Sequence, residues 1–353
     1  MRTIGNILVI QTAFIGDAIL TLPLVRGLKE YFPHANIDIL VTPRAQDLFK
    51  DHPDIHEAIP FDKRGRDKGF AGLRKMVRML RGRRYDLAFV PHRSLRSALA
   101  SWLARIPLRI GFDRSAGRFL FTKSVRYGKD LHEIDRNLTL LEGIGIKDHP
   151  RTLPRLYPSG EDAKVVDKLL FELEIGNVQR LIALAPGTVW NTKRWLKERF
   201  ASLAVNLDGE GYEILLVGGM EDRELCSEVC ALSGSMKIHN TAGKLSLLQS
   251  AELIRRCKLL VANDSAPLHL AVGVGTPVVA VFGATVPAFG FAPMGRFDSV
   301  VEIRNLRCRP CSSHGGDRCP IKTFECMTGI THERVFARVM GVLERISPAS
   351  ASN

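Results

Sequence analysis

No apolar run in this chain approaches the ~20 residues a membrane-spanning helix needs, so no span is expected. The opening decapeptide MRTIGNILVI has too short an apolar part for a signal peptide and flows into a helical pattern without a cleavage site. A cytoplasmic location is the expectation. Aromatic residues make up only 7% of the chain and are not interleaved with the basic ones. Nucleic acid is therefore not expected as a partner, because strand-binding surfaces stack bases on aromatic rings. There is no repeat of solenoid period. There is no G-x-G-x-x-G after the first strand and no Walker A spacing, which argues against a dinucleotide or P-loop site. Cysteines number seven, and in a reducing compartment most are thiols or metal ligands.

The 353 residues are 45% hydrophobic and 25% charged, enough for two domains with separate cores. The net charge of +13 is uneven. Residues 1–157 carry 28 Lys/Arg against 16 Asp/Glu, whereas residues 158–353 carry 22 against 21. The first half is thus matched to something anionic: a membrane surface, a phosphorylated lipid or a nucleic acid.

Strand-like runs at 6–11, 37–41, 58–61, 87–91 and 108–111 alternate with helical patterns at 17–31, 72–83 and 95–104. The rhythm repeats with strands at 181–185, 213–217, 259–262 and 277–282 and helices at 197–207, 221–232, 245–256 and 266–274. Two doubly wound α/β domains follow from it. The boundary is expected in a proline-bearing segment, with domains at 1–157 and 158–345 and a disordered tail at 346–353.

Four constellations carry chemistry. Gly16-Asp17 follows the first strand, and Asp17 is either a plain helix cap or a general base. Thr188, Thr192, Lys193 and Arg194 follow the strand at 181–185, with Trp195 packing beneath, in a loop able to hold a diphosphate. Gly218-Gly219 before Glu221 suits a ribose or sugar hydroxyl, and 240–244 adds a further glycine loop. Asn263-Asp264-Ser265-Ala266-Pro267 joins a buried strand to a helix beginning near Ala266, with Asp264 or Ser265 as its cap. Separately, Cys308-x2-Cys311-x7-Cys319-x6-Cys326 can close a structural zinc site, an iron–sulfur cluster or a redox disulfide. Cys226, Cys230 and Cys257 read as core residues.

Taken in order, these motifs resemble glycosyltransferase family 9, the bacterial lipopolysaccharide heptosyltransferases, with heptosyltransferase II as the nearest subgroup. The likeness runs through Gly16-Asp17 and Pro23, Lys193-Arg194-Trp195, 240–244, Asn263-Asp264-Ser265 with Pro267 and His269, and Phe282-Gly283-Ala284-Thr285. Ala266 stands where the family usually has glycine. The resemblance implies a GT-B fold, two Rossmann-like domains facing a central cleft. The first domain would bind a phosphorylated lipid A–core acceptor at the cytoplasmic surface of the inner membrane, and the second would bind ADP-heptose. It also implies an inverting displacement. Asp17 is the base, and Lys193, Thr188 and the helix start at Ser265 and Ala266 face the leaving ADP. Thr192, Glu221 and Asp264 bind nucleotide or sugar, and His269 either supports phosphate or packs. No D-x-D occurs in the chain, so no metal-bridged diphosphate and no catalytic cofactor are expected. The rival readings are a transferase or epimerase for another nucleotide sugar and a zinc-bearing nucleic-acid protein.

Overall fold

The computed structural model describes residues 4–346. The chain divides into two compact units, Met1–Tyr157 and Pro158–Asn353.

The first unit holds a six-stranded sheet of β1 (Asn6–Gln11), β2 (Asn36–Val41), β3 (Glu57–Pro60), β4 (Leu87–Val90), β5 (Leu108–Phe112) and β6 (Lys123–Val125). All neighbouring pairs are parallel. Its helices are α1 (Ile15–Leu20), α2 (Leu22–Tyr31), α3 (Gly69–Gly82), α4 (Leu95–Leu103) and α5 (Glu133–Leu138). Residues Ile7 to Ile10 are wholly buried, because helices cover both faces of a parallel sheet. That is why β1 reads as an unbroken apolar run rather than an alternation.

The second unit repeats the plan with β7 (Leu181–Ala185), β8 (Glu213–Leu216), β9 (Ile238–Asn240), β10 (Leu259–Asn263), β11 (Val278–Phe282) and β12 (Ser299–Glu302). Here too every neighbouring pair is parallel. Around the sheet lie α6 (Gly160–Glu172), α7 (Lys197–Gly209), α8 (Arg223–Ser233), α9 (Leu247–Arg256), α10 (Ala266–Val274), α11 (Glu325–Thr328) and α12 (His332–Ile346).

The strand orders are β3-β2-β1-β4-β5-β6 and β12-β11-β10-β7-β8-β9. Both follow the Rossmann path 3-2-1-4-5-6, the second read from its other edge. The winding reverses between β1 and β4 in one unit and between β7 and β10 in the other. Ligands of open α/β sheets bind at such reversals, outside the carboxyl ends of the strands.

Several elements differ from expectation. The helix anticipated over 17–31 is two helices that part at Thr21. Pro23 in the first turn of α2 supplies no N–H and disfavours a continuous helix through the residues before it. Strands β6, β9 and β12 were not expected; at three or four residues they are too short to show a period. The tail expected at 346–353 lies outside the described residues apart from Ile346, which ends α12. Among the described residues no helix is long and apolar enough to cross a membrane.

Candidate functional sites at the carboxyl edges

In the first unit the loop after β1 enters α1, and Asp17 is the third residue of that helix. It is therefore not the cap. Its Oδ2 instead accepts from the Phe14 N–H at 3.3 Å, an anchor that fixes the carboxylate at the sheet edge. Across the winding reversal, Thr12 Oγ1 meets His92 Nδ1 at 3.0 Å. Burial, then Lys63 and Arg93, push His92 down to about 4, so it stays neutral at physiological pH. Lys63 Nζ donates to Thr12 O at 2.5 Å. Burial and the cations Arg64 and Arg96 lower the Lys63 ammonium, while Asp17 opposes them.

Behind Asp17 lies a buried group that its spacing did not reveal. Arg136 is 2% exposed and donates to the carbonyls of Gly128 (2.9 Å) and Leu131 (2.6 Å) as well as to the Glu133 carboxylate. Tyr127 lies under the guanidinium of Arg136, 4.7 Å from its centroid, and under that of Arg93 at 4.4 Å. Burial and then the neighbouring Asp17 push the Glu133 carboxyl up to about 7, against the pull of Arg136 and Arg93.

That value lies above the ordinary 4.5 of a glutamate, so the folded protein holds this proton more tightly than the unfolded chain. The stabilisation is whole below about pH 4.5 and is lost as pH rises through about 7. Glu133→Gln keeps the shape without the titration. The melting temperature of the parent should fall relative to this variant by at least ~2 °C between pH 5 and pH 7.5, about the shift ~1 kcal/mol gives a domain of this size. A relative rise would mean that Arg136 holds Glu133 ionised throughout.

In the second unit the loop after β7 and the junction after β10 flank the reversal. Asn263 is fully buried and ties them together: its Oδ1 accepts from Trp195 N at 3.0 Å and its Nδ2 donates to Pro186 O at 2.9 Å. Trp195 packs beneath, its indole N–H on Ile330 O at 2.9 Å and its ring edge-on to Phe200. Lys193 Nζ sits 2.8 Å from Asp264 Oδ2, which also accepts from Thr285 Oγ1 at 2.7 Å. Asp264 is thus engaged as a partner of Lys193 and does not cap α10. Ser265 holds the cap position, but its side chain makes no cap bond. The start of this nine-residue helix therefore lies beside Lys193 without a capping side chain, a setting suited to an anion. His269, in the next turn, is buried and edge-on to Phe291.

The other expected residues divide. Thr188 is buried, and its Oγ1 accepts from Trp190 N at 3.3 Å. Thr192 is engaged elsewhere: its N–H donates to Gly316 O at 2.9 Å and its Oγ1 accepts from Gly316 N at 2.8 Å. Glu221 lies in a short 3₁₀ turn, and beside it Asp222 is the carboxylate turned inward. A Cβ at Gly187 would stand 2.0 Å from Asp222 Oδ1, so only glycine admits that approach.

In the cysteine loop the thiols of Cys308, Cys311, Cys319 and Cys326 lie near one another. Among the described residues no three of the Cys308, Cys311, Cys319 and Cys326 sulfurs come within ligand distance of one another. Cys311 donates to Cys308 O at 3.1 Å, and Cys326, the second residue of α11, is buried. Around the Cys319 thiol, backbone N–H groups from Phe324, Ile321, Lys322 and Thr323 outweigh the upward pull of burial and lower its pKa. No metal is assigned to the four cysteines. The loop also walls the lysine. Gly315, at φ +88°, leaves space where a Cβ would stand 2.9 Å from Lys193 Cδ. Arg309 anchors the loop to the end of β11, donating to Thr285 O at 2.7 Å and pairing with Glu302 at 2.8 Å.

The sequence profile of glycosyltransferase family 9 (heptosyltransferase) matches residues 73–318. The chain belongs to this family. Lipopolysaccharide heptosyltransferase 2 of Salmonella typhimurium is 31% identical over 293 residues, 80% of this chain and 84% of its own. A glycosyltransferase family 9 crystal structure from Veillonella parvula superposes with a TM-score of 0.87 at 25% identity, spanning 97% of this chain and 98% of that one. The structure of Escherichia coli ADP-heptose lps heptosyltransferase II gives 0.80 at 27% identity, over 96% and 99%. The two Rossmann-like units are those of a GT-B glycosyltransferase, and this family 9 member is such an enzyme.

Proposed function

We propose that this glycosyltransferase moves a heptose from ADP-heptose to the phosphorylated inner core of a lipid A–core acceptor, with inversion, in one displacement. The observation that carries this reading is the Lys193–Asp264–Thr285 arrangement beside the uncapped start of α10, in a chain 31% identical to a lipopolysaccharide heptosyltransferase 2. The second unit takes the nucleotide sugar. Lys193, Thr188 and the α10 N–H groups at Ser265 and Ala266 meet the diphosphate, with His269 behind them. Glu221 and Asp264 face ribose or heptose hydroxyls. Thr192 acts at one remove, holding the loop that walls Lys193.

The first unit takes the acceptor. Asp17 accepts the proton of the attacking hydroxyl as the C–O bond to the anomeric carbon forms and the bond to ADP breaks. Protein cations answer the charge on the leaving group, so the reaction is written without a cofactor. The acceptor's lipid places the enzyme in the cytoplasm, peripheral at the inner membrane.

The test is acceptor-dependent ADP release from ADP-heptose across a series of heptose-deficient lipopolysaccharides. Release with one acceptor and not the others names the step. Binding of the nucleotide sugar with no release across the series would replace this reading with another acceptor or an epimerase.

A further inference from the structure

The net charge of the whole molecule is carried by one stretch. Residues 63–123 hold 17 Lys/Arg against 3 Asp/Glu. Two helices of that stretch, α3 and α4, contain no acidic residue at all. They lie side by side on one face of the first sheet. Arg96 of α4 donates to Gly69 O at the start of α3, and Arg81 at the end of α3 donates to Leu103 O at the end of α4. The helices therefore run parallel, both starting at the carboxyl edge that carries Asp17. The inner side of α3 is Leu73, Met76, Val77 and Leu80, buried in the core. Its outer side is Arg74, Lys75, Arg78 and Arg81, all exposed and headed by Phe70 at 78% exposure. Leu95 of α4 is exposed too. Beside it Gly117 packs on Leu95 and Ala98 and leads to Phe119, 74% exposed.

We propose that this outer α3–α4 face is the surface by which the enzyme lies on an anionic bilayer. Cations without acidic neighbours suit anionic headgroups, at ~1 kcal/mol for each Lys or Arg near the surface. Bare Phe70, Leu95 and Phe119 at the carboxyl edge suit the boundary between headgroups and acyl chains. A nucleic acid would use the same cations, and the RNA comparison below separates the two. The orientation brings the membrane to the edge where Asp17 stands. The proposal rests on the reading of the acceptor as a lipid-borne saccharide.

Co-sedimentation of the full chain with vesicles tests it, comparing phosphatidylethanolamine with 30 mol% phosphatidylglycerol against phosphatidylcholine alone. The parent should pellet with the first only and be released by salt. The triple variant Arg74→Gln, Lys75→Gln, Arg78→Gln should bind about 100-fold more weakly, at roughly fivefold per charge. Phe70→Ser with Phe119→Ser should weaken binding about 10-fold. None of these side chains is assigned to the catalytic or nucleotide machinery, so ADP release with a delipidated acceptor should be unchanged in every variant. Parent-like pelleting of both variants, or no pelleting of the parent, overturns the surface. So does tighter retention on single-stranded RNA than on the vesicles, or a second copy of the chain masking the face. Vesicle binding lost in the variants, with no ADP release from any acceptor, would keep the surface and remove the proposed reaction.

Discussion

Asp17→Ala should lower transfer about 10²–10⁴-fold, the range for removing a positioned general base, while leaving ADP affinity within about twofold. Three observations support this split. Asp17 sits at the first winding reversal, where an α/β sheet presents groups to a ligand. Its carboxylate accepts from the Phe14 N–H, and losing half a capping interaction costs roughly 0.5–1 kcal/mol, small beside the stability of a domain. Finally, the nucleotide groups belong to the other unit. Asp17→Asn keeps an acceptor for Phe14 N–H and still removes the base, so it should be as inactive as alanine and melt closer to the parent. Single-turnover transfer, ADP titration and thermal melting on the same three proteins decide it. Parent-like turnover in Asp17→Asn would move the base elsewhere, and His92, neutral and 3.0 Å from Thr12, would be the next residue to replace.

Much of this was legible in the sequence because of how parallel sheets bury their strands. β1, β7 and β10 are covered on both faces, so each shows as a continuous apolar run, and the polar residues just after each run mark a carboxyl edge. Asp17, Lys193 and Asp264 all stand there. Strand order is not written in such runs, and without it the meeting of the β7 loop with the β10 junction had no stated cause. The residues missed are those whose partners are remote. His92 lies 80 positions from Thr12. Asn263 stands in the motif after β10, but its tie to Trp195, 68 positions away, is not legible there. Asp222 shows its importance only through the missing Cβ of Gly187. Glu133 and Arg136 stand three residues apart on α5, and nothing local signals that both are buried beside Asp17. The cysteine spacing alone does not fix where the sulfurs stand. Spacing measures the reach of a chain, whereas the positions of the sulfurs are set by Arg309 and Gly316, which bind the loop to β11 and to Thr192.

Lys193→Ala should weaken ADP binding about 10²-fold while changing adenosine binding less than threefold, because the lysine is assigned to the diphosphate. Part of the loss is the missing cation, worth about 1.5–3 kcal/mol for a charged hydrogen bond. The rest comes from Asp264. Its carboxylate is nearly buried, and in the parent it is balanced by Lys193 at 2.8 Å. Without the lysine it keeps only Thr285 and stands as an unbalanced negative charge beside the proposed phosphate site. Lys193→Ala with Asp264→Asn should therefore bind ADP better than Lys193→Ala alone, by roughly 5–10-fold, a coupling of ~1 kcal/mol between contacting residues. Asp264→Asn by itself releases Lys193 to the diphosphate and should leave ADP affinity unchanged or improved. A calorimetric cycle over the four proteins, with ADP and adenosine as ligands, separates the terms. Additive losses, or equal losses for the two ligands, would show that the pair is a structural tie and that the diphosphate is held by other groups. The predicted cycle would make the ion pair a ligand-responsive contact: Asp264 holds the lysine in place until a diphosphate competes for it.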